Sequence, residues 1–114
     1  MPVENVTAHI ERSLERETQC GVKLTNLYAI ARQEEFEGMV PTVEVNGEIE
    51  ALDGQPTVDV RLTILVNDEY GRLAVSEDHY FLRDDFLDFE HFSTELFLGP
   101  DQKMSRLRVI VRPA

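Results

Sequence analysis

The chain has 114 residues, of which 42% are hydrophobic, and its 22 acidic residues against 11 lysines and arginines give a formal net charge of −11. This length suits one domain with its own hydrophobic core and is too short for two ordinary domains. The excess negative charge repels phosphate backbones and anionic lipid surfaces, so we expect neither nucleic acid nor a membrane as a partner.

The cellular compartment is predicted from the single cysteine and from the absence of targeting patterns. Cys20 has no second cysteine to bond with, which excludes an intramolecular disulfide and fits a reducing compartment. The first residues lack the basic start and apolar run of a signal peptide. No run reaches the roughly 18 apolar residues that a transmembrane helix needs. We therefore expect a cytoplasmic protein.

The first predicted element covers residues 6–14, where apolar and polar side chains alternate. The even positions include Val6, Ile10 and Leu14, and every odd position is polar. This period of two predicts a half-buried strand. The same three residues also lie four apart, as on a helix face, so an N-terminal helix and an α+β fold are the alternative. After a loop at Gly21, the residues predicted to face inward again stand at even positions: Val22, Leu24, Tyr28 and Ile30.

A hairpin is predicted over residues 43–66. The pair Asn46-Gly47 is typical of a type I′ turn, but a turn there would place valines and glutamates on one face. A turn at residues 53–56 gives inward pairs that are apolar or contain glycine: Ala51 with Val58, Ile49 with Val60, Gly47 with Leu62, Val45 with Ile64, and Val43 with Val66. On the outer face Glu48 then meets Arg61. Gly47 makes room for Leu62 or marks a bulge.

Three further strands are predicted after a loop at residues 67–71. The first is a bent strand suggested by Leu73, Val75 and Phe81. The second holds Phe92, Thr94, Leu96 and Leu98, and the last holds Leu107, Val109 and Val111. Pairing Leu96 with Leu107 brings Glu95 opposite Arg108 on the outer face, where opposite charges stabilise a sheet modestly. The five prolines all lie at the proposed boundaries.

Short strands separated by turn signals predict an all-β class, with residues 1–114 forming a single antiparallel β-sandwich domain of about seven strands. A small barrel is the alternative arrangement. Residues 45–73 (VNGEIEALDGQPTVDVRLTILVNDEYGRL), then Phe89, Phe92 and a final Leu-Arg-Val-Ile-Val strand, resemble the FxLYD and fibronectin-type-III-like sandwich domains over residues 22–112. The resemblance implies an immunoglobulin- or fibronectin-III-like fold and a non-enzymatic role, and it transfers no functional residues.

Two kinds of chemical site are weighed and set aside. Residues 84–91 gather four carboxylates and His91, and oxygen ligands of this type suit calcium. The spacing lacks the glycine of an EF-hand loop, so we interpret the segment as a solvated acidic turn and expect no metal and no cofactor. Histidine suits acid–base catalysis near neutral pH, but no serine or cysteine is predicted beside His9, His79 or His91. Cys20 is expected to be exposed or half-buried with no basic neighbour, and we expect no enzymatic activity.

Charge is distributed unevenly along the chain. Residues 33–59 contain eight acids and no lysine or arginine, and residues 84–101 contain six acids and no lysine or arginine. After Asp101 there are no acids, and the basic residues there are Lys103, Arg106, Arg108 and Arg112. The first acidic run begins with glutamates that we interpret as a charged loop: Glu34, Glu35 and Glu37.

The last strand and several off-parity apolar residues are the candidate interface. By parity, four residues of the last strand share its outward face: Arg106, Arg108, Ile110 and Arg112. This basic stripe either offsets acids such as Glu95 or contacts the acidic face of a partner, while edge arginines also discourage unwanted strand pairing. Apolar residues predicted to point outward are Leu27, Ala29, Ala31, Leu65 and Phe97. Exposed together, such residues mark an interface.

These patterns predict a non-catalytic protein-interaction module that acts through sheet faces and acidic loops. Its partner would be another protein or a second copy of the chain in a homodimer. Two alternatives stay open: a small-ligand or calcium-binding β domain, and an immunity- or chaperone-like acidic binder. The predicted interface residues are Arg106, Arg108, Ile110, Arg112, Leu27, Leu65 and Phe97.

Overall fold

A computed structural model of the chain describes residues 3–32 and 40–114, and it confirms the all-β class. The eight strands in these two ranges are β1 Val3–Asn5, β2 Ile10–Glu11, β3 Val22–Arg32, β4 Thr42–Ala51, β5 Val60–Asp68, β6 Leu73–Phe81, β7 Phe89–Phe97 and β8 Met104–Pro113. A six-residue helix, α1, covers Leu14–Gln19, and 3-10 turns cover Thr7–His9 and Arg83–Asp85. The predicted charged loop at Glu34, Glu35 and Glu37 lies outside the described residues.

The strands form two four-stranded sheets. Sheet 1 has the order β1-β3-β4-β7, and sheet 2 has the order β2-β8-β5-β6. The neighbours are antiparallel except for β2 and β8, which run parallel. The N-terminal segment therefore contributes one short strand to the outer edge of each sheet.

Both sheets contribute side chains to one hydrophobic core. The alternation in β4, β5, β7 and β8 correctly predicted which of their residues face inward, and the most completely buried of these are Val45, Ile49, Val60, Leu62, Ile64, Val66, Leu107, Val109 and Val111. Burying a side chain of this size stabilises a fold by about 1.5–3 kcal/mol. Alternation at period two thus located the core of the domain.

The predicted strand partners were wrong. β4 pairs with β3 and β7, whereas β5 pairs with β6 and β8, so no hairpin joins β4 to β5. The segment between them crosses from sheet 1 to sheet 2, and Val58 within it is 36% exposed instead of facing Ala51. Alternation identifies the inward face of a strand but does not say whether two such faces belong to one sheet or face each other across the core.

The same error affects the last two strands. β7 lies in sheet 1 and β8 in sheet 2, so Leu96 and Leu107 do not pair. Glu95 lies opposite Glu44 in sheet 1, and Arg108 lies opposite Leu65 in sheet 2. The arginine is therefore not offset by the glutamate that the sequence placed across from it.

The rejection of a turn at Asn46-Gly47 is confirmed, because both residues lie inside β4. Gly47 faces Phe92 of β7 in the ladder. A Cβ atom at Gly47 would come within 2.7 Å of Phe92 Cζ and 2.8 Å of Leu27 Cδ2. The glycine therefore leaves room for the side chains of Phe92 and Leu27. The prediction that it makes room for Leu62 was wrong.

A bulge in β3 reverses the predicted parity of its second half. Asn26 has a φ of 52°, and the pairing with β4 shifts between Thr25 and Tyr28. An extra residue of this kind turns the following side chains to the opposite face. Tyr28 is consequently 43% exposed and Ala29 is fully buried. The prediction that Tyr28 and Ile30 face inward was wrong, and Leu27 and Ala31 pack against the core.

The predicted strand over residues 6–14 was also wrong for most of its length. Val6 is buried, but a 3-10 turn follows it, and Leu14 begins α1 with 63% of its surface exposed. The Ser13 side chain accepts a hydrogen bond from the backbone N–H of Arg16, as an N-cap residue does. The helical alternative was therefore correct only for the last residues of the segment, and the helix is too short to change the fold class.

A buried ion pair from this segment covers the free edge of β3. β1 reaches only the last three residues of β3, which leaves the backbone of Leu24 without a strand neighbour on that side. The Glu17 carboxylate accepts the Leu24 N–H at 2.9 Å, and Arg12 Nη2 donates to the Leu24 carbonyl at 2.7 Å. Arg12 Nε also donates to Glu17 at 2.9 Å. The two side chains thus replace a strand at an edge that would otherwise stay open.

Candidate interaction surface

Four arginines lie on the outer face of sheet 2. They are held there by β5 and β8, whose inward residues are fully buried, so that the alternate residues point away from the core. We call this surface the arginine face, and its residues are Arg61, Leu65, Arg106, Arg108, Ile110 and Arg112. The ladder places Arg61 directly opposite Arg112, and Leu65 opposite Arg108.

Three of these arginines have no carboxylate within 4.0 Å in the described ranges 3–32 and 40–114. Arg108 Nη2 donates to Asn67 Oδ1 at 3.1 Å, and Arg112 Nη2 donates to Thr63 Oγ1 at 3.2 Å. Both acceptors are neutral. The Nε atoms of Arg61, Arg108 and Arg112 are buried and have no acceptor in the described part of the chain. Buried donors are normally hydrogen-bonded, so three on one surface need a physical account.

Two carboxylates border the arginine face, and both are already engaged. Glu11 of β2 accepts from Arg106 Nε at 2.7 Å and from Arg106 Nη2 at 2.9 Å. This hydrogen bonding, with the charges of Arg106 and Arg108, holds the pKa of Glu11 below its ordinary value. Asp78 of β6 accepts from the Thr63 hydroxyl at 2.6 Å. Neither carboxylate forms an ion pair with Arg108 or with the other two arginines.

Helix α1 adds a fifth arginine beside the face. Arg16 lines a shallow pocket of about 290 Å³ together with side chains of β5 and β8, namely Leu65, Arg108, Ile110 and Arg112. The pocket is thus lined by three arginines and two apolar residues. Guanidinium groups bind planar oxyanions through two parallel hydrogen bonds, so the arrangement suits carboxylates.

The outer face of sheet 1 has the opposite charge, and we call it the acidic face. Its carboxylates are Glu44, Glu48 and Glu50 of β4 and Glu95 of β7. Two of them have basic residues beside them: Arg32 Nη1 lies 2.9 Å from Glu44, and His91 Nδ1 lies 3.6 Å from Glu48. The hydrogen bond from Arg32 lowers the pKa of Glu44. Charge on this face is therefore partly neutralised by the chain itself.

The structure brings five of the seven predicted interface residues together on the arginine face: Arg106, Arg108, Ile110, Arg112 and Leu65. Phe97 lies apart from them on the outer face of sheet 1, where it is 58% exposed. Leu27 was predicted to point outward, but the bulge in β3 turns it against the core. An interface role for the exposed residues stays a prediction.

Sequence reasoning did not assign Arg61 and Arg16 to this surface. The predicted hairpin placed Arg61 opposite Glu48 and so neutralised it, whereas its true neighbours are Arg112 and Tyr80. Arg16 was not placed because the residues around it were interpreted as following a strand. The sequence did indicate that Arg61 points outward, because it alternates with the inward residues Val60 and Leu62.

The acidic segment at residues 84–91 forms a 3-10 turn followed by the start of β7. Asp84, Asp85 and Asp88 are exposed, and Phe86 is buried beneath the turn. Within the described residues, no group of three or more aspartates, glutamates, histidines or cysteines is arranged to hold a metal ion.

The histidines and the cysteine have separate surroundings. His79 of β6 hydrogen-bonds through Nε2 to the buried hydroxyl of Thr94 in β7, which links the two sheets at their open side. His9 is exposed. Cys20 is fully buried, so the prediction of an exposed or half-buried thiol was wrong. Burial raises the pKa of its thiol, which disfavours the reactive thiolate.

Among the described residues, none of the helical segments is long and apolar enough to cross a membrane. Comparison with known proteins found no family model, no curated protein and no solved structure that matches the chain.

Proposed function

We propose that the protein is a non-catalytic, cytoplasmic protein-interaction module whose partner contacts the arginine face. The observation that supports this most strongly is a group of three arginines that find no carboxylate partner among residues 3–32 and 40–114, in a chain that has twice as many acids as bases. Arginine is enriched in protein interfaces, and a partner docked on this face can supply acceptors to the Nη atoms of these guanidinium groups.

The composition of the face favours a protein partner over a nucleic acid. Ile110 lies between Arg108 and Arg112 on β8, and Leu65 lies opposite Arg108 on β5, so the face offers apolar contact as the centre of a protein interface does. A phosphate backbone carries one negative charge at every step and is repelled by a chain of net charge −11. A protein surface matches a small group of charges with few charges of its own.

A second copy of the chain is the other candidate partner, as in the predicted homodimer. The acidic face of one molecule complements the arginine face of another, which supports this possibility. Such a contact joins two different surfaces, so it produces a ring or an open filament instead of a closed pair. The immunoglobulin- or fibronectin-III-like form of the sandwich stays a prediction, supported by the two sheets that share one core.

The proposal is tested by capturing proteins from a lysate of the source cells with three tagged forms of the chain. The wild type is compared with Arg108→Glu/Arg112→Glu and with Lys23→Glu/Lys103→Glu, a control that makes the same charge change at two exposed lysines elsewhere. We expect the wild type and the control to retain the same proteins and the arginine variant to lose them. Light scattering on each form shows whether the captured protein is the chain itself.

Two results would contradict the proposed function. One is a wild type that is strictly monomeric and retains no protein above the background of the tag. The other is an arginine variant that is folded, as judged by its thermal melt, and retains the same proteins as the wild type.

A further inference from the structure

Resting on the proposed function, we propose that the arginine face binds an extended acidic segment of a partner protein. In this segment two carboxylate side chains, four residues apart, flank one apolar side chain. Arg108 and Arg112 hold the two carboxylates, with Arg16 beside them. The apolar side chain packs on Leu65 and Ile110.

The hydrogen bonds of the two central arginines leave donors for a ligand. Arg108 and Arg112 each spend one Nη2 donor on a neutral acceptor, Asn67 and Thr63 respectively. In the described part of the chain neither donates through Nη1, and because the Nε atom of each is buried, the donors that remain for a ligand are those of Nη1 and the second hydrogen of Nη2. A carboxylate accepts two parallel hydrogen bonds from a guanidinium group, and these charge-assisted bonds are about twice as strong as neutral ones.

The spacing along β8 sets the pattern of the ligand. Arg108, Ile110 and Arg112 alternate on one face of a strand, so the two arginines lie about 13 Å apart at roughly 3.3 Å per residue. An extended segment running beside them repeats the same rise. Its first and fifth residues therefore meet the two arginines while its third residue lies over Ile110.

Repulsion within the face adds a reason for binding. Arg61 and Arg112 are directly opposite each other across the ladder, and like charges in this position are destabilising. Arg16 adds a third positive charge to the same pocket. An anionic ligand removes this repulsion, so binding and thermal stability are coupled.

The net charge of the chain does not prevent such binding. Charges beyond about 8 Å are largely screened at physiological ionic strength, so a short segment responds to the arginines near it more than to distant glutamates. A long polyanion senses the whole molecule. This difference favours a protein segment with two carboxylates over a phosphate backbone.

The experiment uses a fluorescein-labelled peptide with the core Glu-Thr-Leu-Thr-Glu and follows its anisotropy with the full chain. Matched peptides carry Gln-Thr-Leu-Thr-Gln or Glu-Thr-Ser-Thr-Glu, and inorganic phosphate and a DNA duplex serve as competitors. We expect the Glu-Thr-Leu-Thr-Glu peptide to bind saturably. The Gln-Thr-Leu-Thr-Gln peptide should not bind, and the Glu-Thr-Ser-Thr-Glu peptide should bind more weakly. Neither phosphate nor the DNA duplex should displace the acidic peptide when present at the same concentration. Raising the salt concentration should weaken the binding.

Variants assign the binding to the arginine face. We expect Arg108→Gln and Arg112→Gln each to weaken binding about 10-fold, because each removes a pair of charge-assisted hydrogen bonds. Arg112→Lys keeps the charge but loses the planar fork, so we expect a smaller loss. Lys23→Gln, on the outer face of sheet 1, should bind like the wild type. A thermal melt of each variant shows that it is folded.

Several results would overturn this inference. They are equal binding of the glutamine peptide, equal binding of the arginine variants, full displacement by phosphate, and no binding of the acidic peptide at all. If the acidic peptide does not bind while the arginine variant still loses its captured proteins, the ligand pattern is wrong and the proposed function stands. If the acidic peptide does not bind and the arginine variant still captures the same proteins as the wild type, both the ligand pattern and the proposed function are wrong.

Discussion

Arg12 and the arginines of sheet 2 show two uses of the same side chain in one small domain. Arg12 pairs with the buried Glu17 and ties the N-terminal segment to the edge of β3. Within residues 3–32 and 40–114, Arg108 and Arg112 have only neutral acceptors, although the chain has twice as many acids as bases. A paired arginine thus ties the fold together here, whereas the arginines with neutral acceptors lie on the face that we propose as the partner-binding surface.

The largest effect on the free energy of unfolding is expected from breaking the ion pair between Arg12 and Glu17. Glu17→Ala leaves Arg12 without its carboxylate and the Leu24 N–H without an acceptor. Breaking a buried ion pair costs about 3–5 kcal/mol, and Arg12 is partly exposed, so we expect the free energy of unfolding to fall by about 3 kcal/mol. Urea unfolding followed by circular dichroism measures this.

The control for this prediction is Glu15→Ala, an exposed glutamate in the same helix. We expect it to change the free energy of unfolding by about 0.5 kcal/mol or less. Similar losses for the two variants would show that the Arg12–Glu17 pair has no special structural role.

A smaller effect of opposite sign is expected from an unpaired arginine. Arg61→Gln removes the like charge directly opposite Arg112, so we expect the free energy of unfolding to rise by about 0.2–1 kcal/mol. Arg106→Gln is the matched variant on the same sheet face, and it should lower stability because Arg106 is paired with Glu11. Differential scanning calorimetry at low salt separates the two signs. A decrease for both would contradict the comparison.

The smallest effect is expected from a paired surface carboxylate on acidification. The pKa of Glu44 is lowered in the folded chain by Arg32. The stabilisation is therefore present above the pKa of the unfolded chain and is lost as the pH falls through the lowered, folded value. As the pH is lowered from neutral to below the ordinary carboxyl range, the melting temperature of Glu44→Gln should therefore fall less than that of the wild type. Melting temperatures across this range test it, and parallel curves for the two proteins would contradict it.

The sequence predicted the faces of strands better than their neighbours. Ile49 and Leu62 were correctly placed inside, because alternation depends only on which side of a strand meets the core. Their pairing across one hairpin was wrong, since residues from facing sheets have the same alternation. Strand order depends on contacts distant in sequence, which a local pattern does not encode.

Two local features also escaped the sequence. Asn26 in a left-handed conformation shifts the parity of β3, and nothing in the alternation of its neighbours requires a bulge there. The helix at Leu14–Gln19 is fixed by the tertiary contact of Glu17 with Leu24, not by helix propensity alone. Both features decide which side chains reach the surface.

The candidate surface was predicted in part. The outward stripe of β8 followed from alternation, and the structure added Arg61 from β5 and Arg16 from α1. These additions depend on the strand order of sheet 2 and on the position of the helix. That three of these arginines have no carboxylate partner in the described ranges becomes visible only when the spatial neighbours are known.

The most direct test of the account is a map of where an acidic ligand binds. Isotope-labelled protein is titrated with the Glu-Thr-Leu-Thr-Glu peptide, and backbone amide shifts are followed by NMR. The account predicts saturable shifts in β5 and β8 around Leu65 and Ile110, with β4 and its glutamates unchanged. Shifts that cluster on β4 and β7, or a spectrum that does not change, would contradict the claim that the arginine face is the binding surface.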